Sequence, residues 1–378
     1  MSLQHSIASS QLSCRGSFTS HAKGLRDLKA SQIRSVRAAS KQLITKAAKI
    51  DISLGDIQQG KKIGSGNFGD VFEGRLSKGN TETPVILKGK KNVNPMGQAR
   101  ADRFFDAEAK ICRRLRNCNG VASFIGVGGA DVYLIWKYEG LATLADVLKS
   151  RDCLRNLGAE FGVSSEEAAV KATMKSLLTS ISSLHGAGVV HRDIKPDNLL
   201  LSVEGGGGGW FSKRSGCQVK LIDLGGCADL RTGTNFNPEE TIFDPVYGAP
   251  EQYIGAQGLM GGLFGRIGGL GGLAGNPALF DAYSAGLVLL QLTVPSMRSK
   301  AAIQGMRKKL EIIPNQDLDV WREKLGARAD KDFALLDANG GKGWDLVKGL
   351  VRPRKNFKKY TGPERMSIKQ ALSHPFLR

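Results

Sequence analysis

The sequence predicts an α+β chain with two lobes: a small, β-rich one over about 56–136 and a larger, mainly helical one over about 137–378. Three observations carry that expectation. The glycine-rich run Ile63-Gly64-Ser65-Gly66-Asn67-Phe68-Gly69-Asp70-Val71 leads into the strand-like Asp70-Val71-Phe72-Glu73-Gly74, where a dinucleotide-binding turn would open a helix. Beyond residue 137, Met174, Leu177, Leu178, Ile181 and Leu184 recur at helical spacing and form a core stripe. Between those regions and beyond, short apolar strands such as Val85-Ile86-Leu87 and Val219-Lys220-Leu221-Ile222 end on charged residues.

Taken in order, the glycine run makes a strand-turn-strand whose backbone approaches whatever lies beneath it, although a plain β-turn fits as well. Lys88 ends the strand Val85-Ile86-Leu87-Lys88, with Lys90 and Lys91 as nearby rivals. A helix follows over about 99–116. Glu108, Ile111, Cys112 and Leu115 share its inward face, while Asp106 points away. Ser164, with Glu167 three positions on, reads as a capping box for the next long helix. That helix delivers Gly186-Ala187-Gly188-Val189-Val190 into His191-Arg192-Asp193-Ile194-Lys195-Pro196-Asp197-Asn198, a carboxylate, an ammonium and an amide at fixed spacing.

This last stretch resembles the catalytic loop of eukaryotic protein kinases, H-R-D-x-x-x-x-N, and its neighbours resemble other kinase motifs in family order. The glycine run is similar to G-x-G-x-x-G-x-V, Val85 to Lys88 to V-A-I-K, Asp223-Leu224-Gly225 to D-F-G and Ala249-Pro250-Glu251 to A-P-E. Ala228-Asp229-Leu230-Arg231, Asp244-Pro245-Val246-Tyr247-Gly248 and Asp337-Ala338-Asn339-Gly340-Gly341-Lys342-Gly343-Trp344 look like segments of the chloroplast thylakoid kinases of the state-transition type. The likeness runs from about residue 60 to 378.

The resemblance implies a bilobal protein-kinase fold and an ATP-dependent serine/threonine kinase using Mg²⁺. Asp193 would accept or orient the substrate hydroxyl proton, Lys195 steady the γ-phosphate, and Asn198 and Asp223 hold the metal. Ile63, Gly64, Gly66, Gly69 and Val71 would cover the nucleotide. Lys88, fixed by Glu108, would position ATP. The backbone of Lys137 and Glu139 would face the adenine, with Trp136 making the pocket shallow. Glu251 is expected to pair with Arg365, and Asp281 to brace the catalytic loop. Arg192 sits where an activation-segment phosphate is paired, with Thr232, Thr234 and Thr241 as candidate acceptors. Asp244 departs from the kinase pattern, which has Thr there: it can pair with Lys195 and can also repel Asp193, and the thylakoid resemblance implies a family variant rather than a defect. The alternative function is a pseudokinase scaffold, which Asp244 alone favours. Substrates implied by the thylakoid likeness are light-harvesting or photosystem proteins, in the stroma or on the stromal face of the membrane.

Composition bounds the rest. The 378 residues are 41% hydrophobic and carry a formal charge of +19, enough core for two or three domains on length alone. Residues 1–50 hold nine Lys/Arg and one acid, so +8 sits there, and the first forty contain ten Ser. That suits an organellar transit peptide or a disordered basic tail, and the segment is set apart from the fold. Six scattered Cys show no zinc spacing and read as reduced thiols. No apolar run of about eighteen residues appears, so no membrane span is expected, and any membrane contact would be peripheral. The basic surface suits an anionic membrane or an acidic substrate, and no nucleic-acid module is recognisable, so no specific nucleic-acid partner is expected. Glycine-rich inserts at 205–209 and 258–275 read as surface loops. Asp337-Ala338-Asn339-Gly340 reads as a turn, because Lys348 stands where a calcium loop needs Glu.

Overall fold

Over residues 51–90 the chain builds β1 (Asp51–Ile52), β2 (Ile57–Ser65), β3 (Gly69–Lys78) and β4 (Thr81–Lys90). After α1 (Pro95–Arg114) come β5 (Phe124–Gly128) and β6 (Tyr133–Lys137). They form one sheet in the order β1-β5-β6-β4-β3-β2, antiparallel except for the β1–β5 pair. This computed structural model describes residues 51–378 except 67–68, 91–94, 131, 204–215, 236–243, 254–275, 356 and 358–359. Residues 1–50, both glycine-rich inserts and Thr241 therefore lie outside the described residues.

Strand alternation sorts the sheet into two faces. Val85, Leu87 and Ile135 pack outward with Ile57, Phe72 and Tyr133 in a small separate core. Ile86, Lys88, Leu134 and Trp136 take the other face, because Lys88 pairs with Leu134 and Ile86 with Trp136. On this side Trp136 meets Phe124 edge-on, ring centroids 5.5 Å apart. The sheet begins at Asp51, ahead of the expected boundary at 56; two residues are too few to show a period. Helix α1 starts at Pro95 rather than 99, with proline in the first turn where its missing N–H removes no hydrogen bond.

The large lobe is built on α4 (Glu166–Gly186), preceded by α2 (Leu144–Leu148) and α3 (Cys153–Phe161). All five residues of the α4 stripe are fully buried. Each buried side chain of that size contributes roughly 1.5–3 kcal/mol. The cap is Ser165, whose side chain accepts from the Ala168 N–H; Ser164 is not the cap, and with alanine at the third position the expected capping box does not form. Strands β7 (Val189–Val190), β8 (Leu199–Val203), β9 (Cys217–Leu221) and β10 (Ala228–Asp229) form two small ribbons that carry the polar loops. Helix α5 (Leu279–Thr293) is buried along its whole length. It packs against α8 (Ala334–Val351), while α6 (Lys300–Glu311) and α7 (Leu318–Glu323) come between them in sequence.

The segment Asp337 to Trp344 is structural. Arg322 lies over the rings of Phe333 and Trp344, 4.3 and 5.1 Å from their centroids, and is bridged to Asp337. Asn339, Gly340 and Gly341 all have positive φ, which makes the expected turn and explains the glycine pair. Among the described residues no helix is long and apolar enough to cross a membrane.

Candidate active site

Strand β4 is central, so it can hold a lysine under the sheet. Lys88 Nζ lies 2.9 and 2.7 Å from the two Glu108 oxygens and 2.9 Å from Asp223 Oδ1. Glu108 arrives from α1 on the inward face shared with Ile111, Cys112 and Leu115, and Asp106 is exposed, as the helical spacing predicts. Burial would lower the Lys88 pKa, but the Asp223 and Glu108 charges outweigh it and raise it. Lys88 holds the Asp223 carboxyl below its usual range, so Asp223 stays ionised. Glu108 is pushed up by burial, since it shares its single cation.

The glycine run lies above this lysine. Ser65 pairs with Asp70 and Gly64 with Val71, and Val71 is in turn opposite Lys88. The Gly66 N–H donates to the Gly69 carbonyl at 2.8 Å, closing the turn. A Cβ on Gly69 would stand 2.6 Å from the Gly89 carbonyl and 3.0 Å from Lys88 Cγ, so close approach of β4 demands glycine there.

Below the sheet, β7 leads into the catalytic-loop sequence. Lys195 Nζ sits 2.8 and 3.1 Å from the Asp193 carboxylate oxygens. Asn198 Nδ2 donates to both the backbone carbonyl and Oδ2 of Asp193, each at 2.9 Å. Arg192 has φ +69° and Asp223 φ +58°, left-handed conformations that ordinary side chains adopt only when the surroundings impose them. Asp281 imposes the first: it accepts the backbone N–H groups of His191 at 2.9 Å and Arg192 at 2.8 Å, and contacts His185 Nε2 at 2.8 Å. Arg192 also donates from its guanidinium to the carbonyls of Gly226, Cys227 and Asn235, so that group is already engaged in the segment expected to carry a phosphate. Thr232 and Thr234 pair hydroxyl to hydroxyl at 2.8 Å.

Helix α1 is tied a second time, by Arg114 Nε 2.5 Å from Asp229 Oδ2 on β10. Arg365 pairs with Glu251 as expected, with Nη2 3.0 Å from Oε2. At the lobe junction the N–H of Lys137 donates to Ser123 and that of Tyr138 to Pro84. The Glu139 carboxylate turns to Lys220 Nζ at 2.6 Å and Ser123 Oγ at 2.8 Å. Asp244 Oδ2 lies 3.8 Å from Lys195 Nζ but 2.6 Å from Lys300 Nζ.

The structure thus brings Lys88, Glu108 and Asp223 into one cluster and Asp193, Lys195 and Asn198 into another. Sequence reasoning missed Lys220, His185, Arg114 and Lys300. Each is a basic residue whose partner is 56 or more positions away, and no local pattern marks it.

Comparison with known proteins agrees with this geometry. The model of the protein kinase domain matches residues 57–377. The chain is 33% identical over 349 residues to the chloroplastic serine/threonine-protein kinase STN7 of Arabidopsis thaliana, covering 85% of this chain and 57% of that one. It is 32% identical over 363 residues to the chloroplastic serine/threonine-protein kinase STN8 of the same plant, covering 84% and 69%. The chain therefore spans between about half and two thirds of these relatives. A crystal structure of a Stt7 homolog from Micromonas algae, soaked with ATP, superposes with a TM-score of 0.66 at 28% identity, covering 86% of this chain and 93% of that one. Motifs, geometry and likeness agree: the chain belongs to the protein kinase family, in the serine/threonine group that includes these chloroplast relatives.

Proposed function

We propose that this chain transfers the γ-phosphoryl group of ATP to serine or threonine hydroxyls of chloroplast proteins, light-harvesting or photosystem subunits among them. The observation that carries the reading is the Lys88 ammonium held between Glu108 and Asp223 at 2.7–2.9 Å. Such an arrangement presents one cation to the nucleotide phosphates while keeping a neighbouring carboxylate ionised. Asp193 orients the substrate hydroxyl and takes its proton. Lys195 steadies the transferred group. Most of the acceleration then comes from positioning and fixed charge.

The oxygen donors fit Mg²⁺, which is held by one or two carboxylates together with substrate phosphates. Asp223 supplies an ionised carboxylate, and with Asn198 Nδ2 committed to Asp193, Oδ1 is the donor that amide offers. When bound, the ion neutralises charge on the phosphates. Chloroplast location rests on the two relatives' names and on the acid-poor, Ser-rich first fifty residues.

The test is Asp193→Asn protein with labelled ATP and a thylakoid extract. Transfer should fall by about 10²–10⁴-fold, the usual contribution of a positioned base. Undiminished labelling would remove Asp193 from the mechanism, and parent protein that transfers nothing would favour the scaffold reading.

A further inference from the structure

Four charged groups of alternating sign run outward from the catalytic loop. Lys195 Nζ is 2.8 Å from Asp193 Oδ2 and 3.8 Å from Asp244 Oδ2, and Asp244 Oδ2 is 2.6 Å from Lys300 Nζ. Coulomb energy falls only as the first power of distance, so the energy between an uncompensated Asp244 and Lys195 would be about three quarters of that with the nearer Asp193 oxygen. Asp244 cannot escape into water: its side chain is 7% exposed and its Oδ1 accepts the Val246 N–H at 2.8 Å. The compensation comes from α6. That helix begins at Lys300, capped by Ser299, and further along Arg307 Nη1 donates to the carbonyls of Pro245, Val246 and Gly248. One helix thus grips the Asp244 loop at both backbone and carboxylate.

We propose that Lys300 is a positioning residue: by neutralising Asp244 it leaves the Lys195 ammonium to Asp193 and to the phosphoryl group. The inference rests on the kinase reading above for the reaction it serves, but the geometry can be tested without turnover. Lys300 is 58% exposed, so its replacement removes charge without opening a core.

The experiment compares four full-length proteins: parent, Lys300→Arg, Lys300→Met and the double variant Asp244→Asn with Lys300→Met. Lys300→Met should lower kcat roughly tenfold or more, since small displacements at the reacting centre have effects of that size. Its KM for ATP should change less than about twofold, because the Lys88 cluster is untouched. Lys300→Arg should stay near parent, and the double variant should regain most of the lost kcat. A crystal structure of Lys300→Met should show Lys195 Nζ shifted toward Asp244, with its contacts to the Asp193 oxygens lengthened. Lys300→Met at parent kcat overturns the inference, as does a double variant no better than the single one, or an unmoved Lys195. Parent protein without transfer would count against the kinase reading instead, while the position of Lys195 would still decide this one.

Discussion

Glu108 in the small lobe and Asp281 in the large lobe are both almost wholly buried, 1% and 0% exposed, yet different donors hold them. Asp281 receives two backbone N–H groups and lies against a histidine ring, donors whose positions are set by the chain fold. Glu108 receives one ammonium, which it shares with Asp223. The pKa values follow. Burial pushes Glu108 up, and a shared cation does not reverse it. Burial also acts on Asp281, but His185 and His191 prevail and bring it down. A carboxylate held by fixed donors is scaffold. On the proposed function, one held by a flexible side chain is a contact that can release its partner toward a phosphate.

The largest effect should come from breaking the fixed set. Asp281→Ala leaves two buried N–H groups unsatisfied and frees the left-handed turn at Arg192, at an expected loss of about 3–5 kcal/mol in urea unfolding. A loss under about 1 kcal/mol would mean that the turn is held by something else. Glu139 sharpens the contrast because its donors are mixed: the Lys220 ammonium and the Ser123 hydroxyl and N–H. Glu139→Gln keeps the shape and removes the charge, so unfolding should shift by about 2 kcal/mol, between the two extremes. A shift as large as that of Asp281→Ala would erase the distinction between fixed and flexible donors.

Both hubs were partly visible in the sequence, and unevenly so. Lys88, Glu108, Asp193, Lys195, Asn198 and Asp223 each lie in a short motif or on a helical face whose period can be counted, so the resemblance to kinase motifs could point to each of them by position. Asp281 was expected to brace the loop, but His185, its third contact, sits at the end of α4 with nothing local to mark it. The same holds for Lys300 and Lys220, whose partners are fixed by how α6 and β9 cross the fold. Asp244 shows the consequence. The sequence allows pairing with Lys195 and repulsion of Asp193, and the structure adds the shorter contact to Lys300 that neither contains. The smaller errors are also physical. Ser164 and Ser165 are adjacent, and only the backbone decides which one caps. Strand β1 is held by parallel pairing to β5, a contact that no local pattern encodes.

The smallest stability effect should belong to Glu108→Gln, at less than about 1 kcal/mol near pH 7, because Lys88 keeps Asp223 as its partner and the amide fills the same space. Activity should fall much further, tenfold or more in kcat/KM, as the lysine loses its second anchor. The two carboxylates should also respond oppositely to pH. Asp281 has a depressed folded pKa, so its contribution is present above the unfolded value of about 3.9 and drains away as pH falls toward the folded one. Glu108 has a raised folded pKa, so its contribution is full below about 4.3 and is lost as pH rises through the folded value. Melting temperatures of parent, Asp281→Asn and Glu108→Gln between pH 3 and 7 measure both. Relative to parent, the Asp281→Asn deficit should shrink on acidification, and the Glu108→Gln deficit should shrink as pH rises. Parallel curves would show that the two sites are held alike, and that the difference in their donors has no energetic consequence.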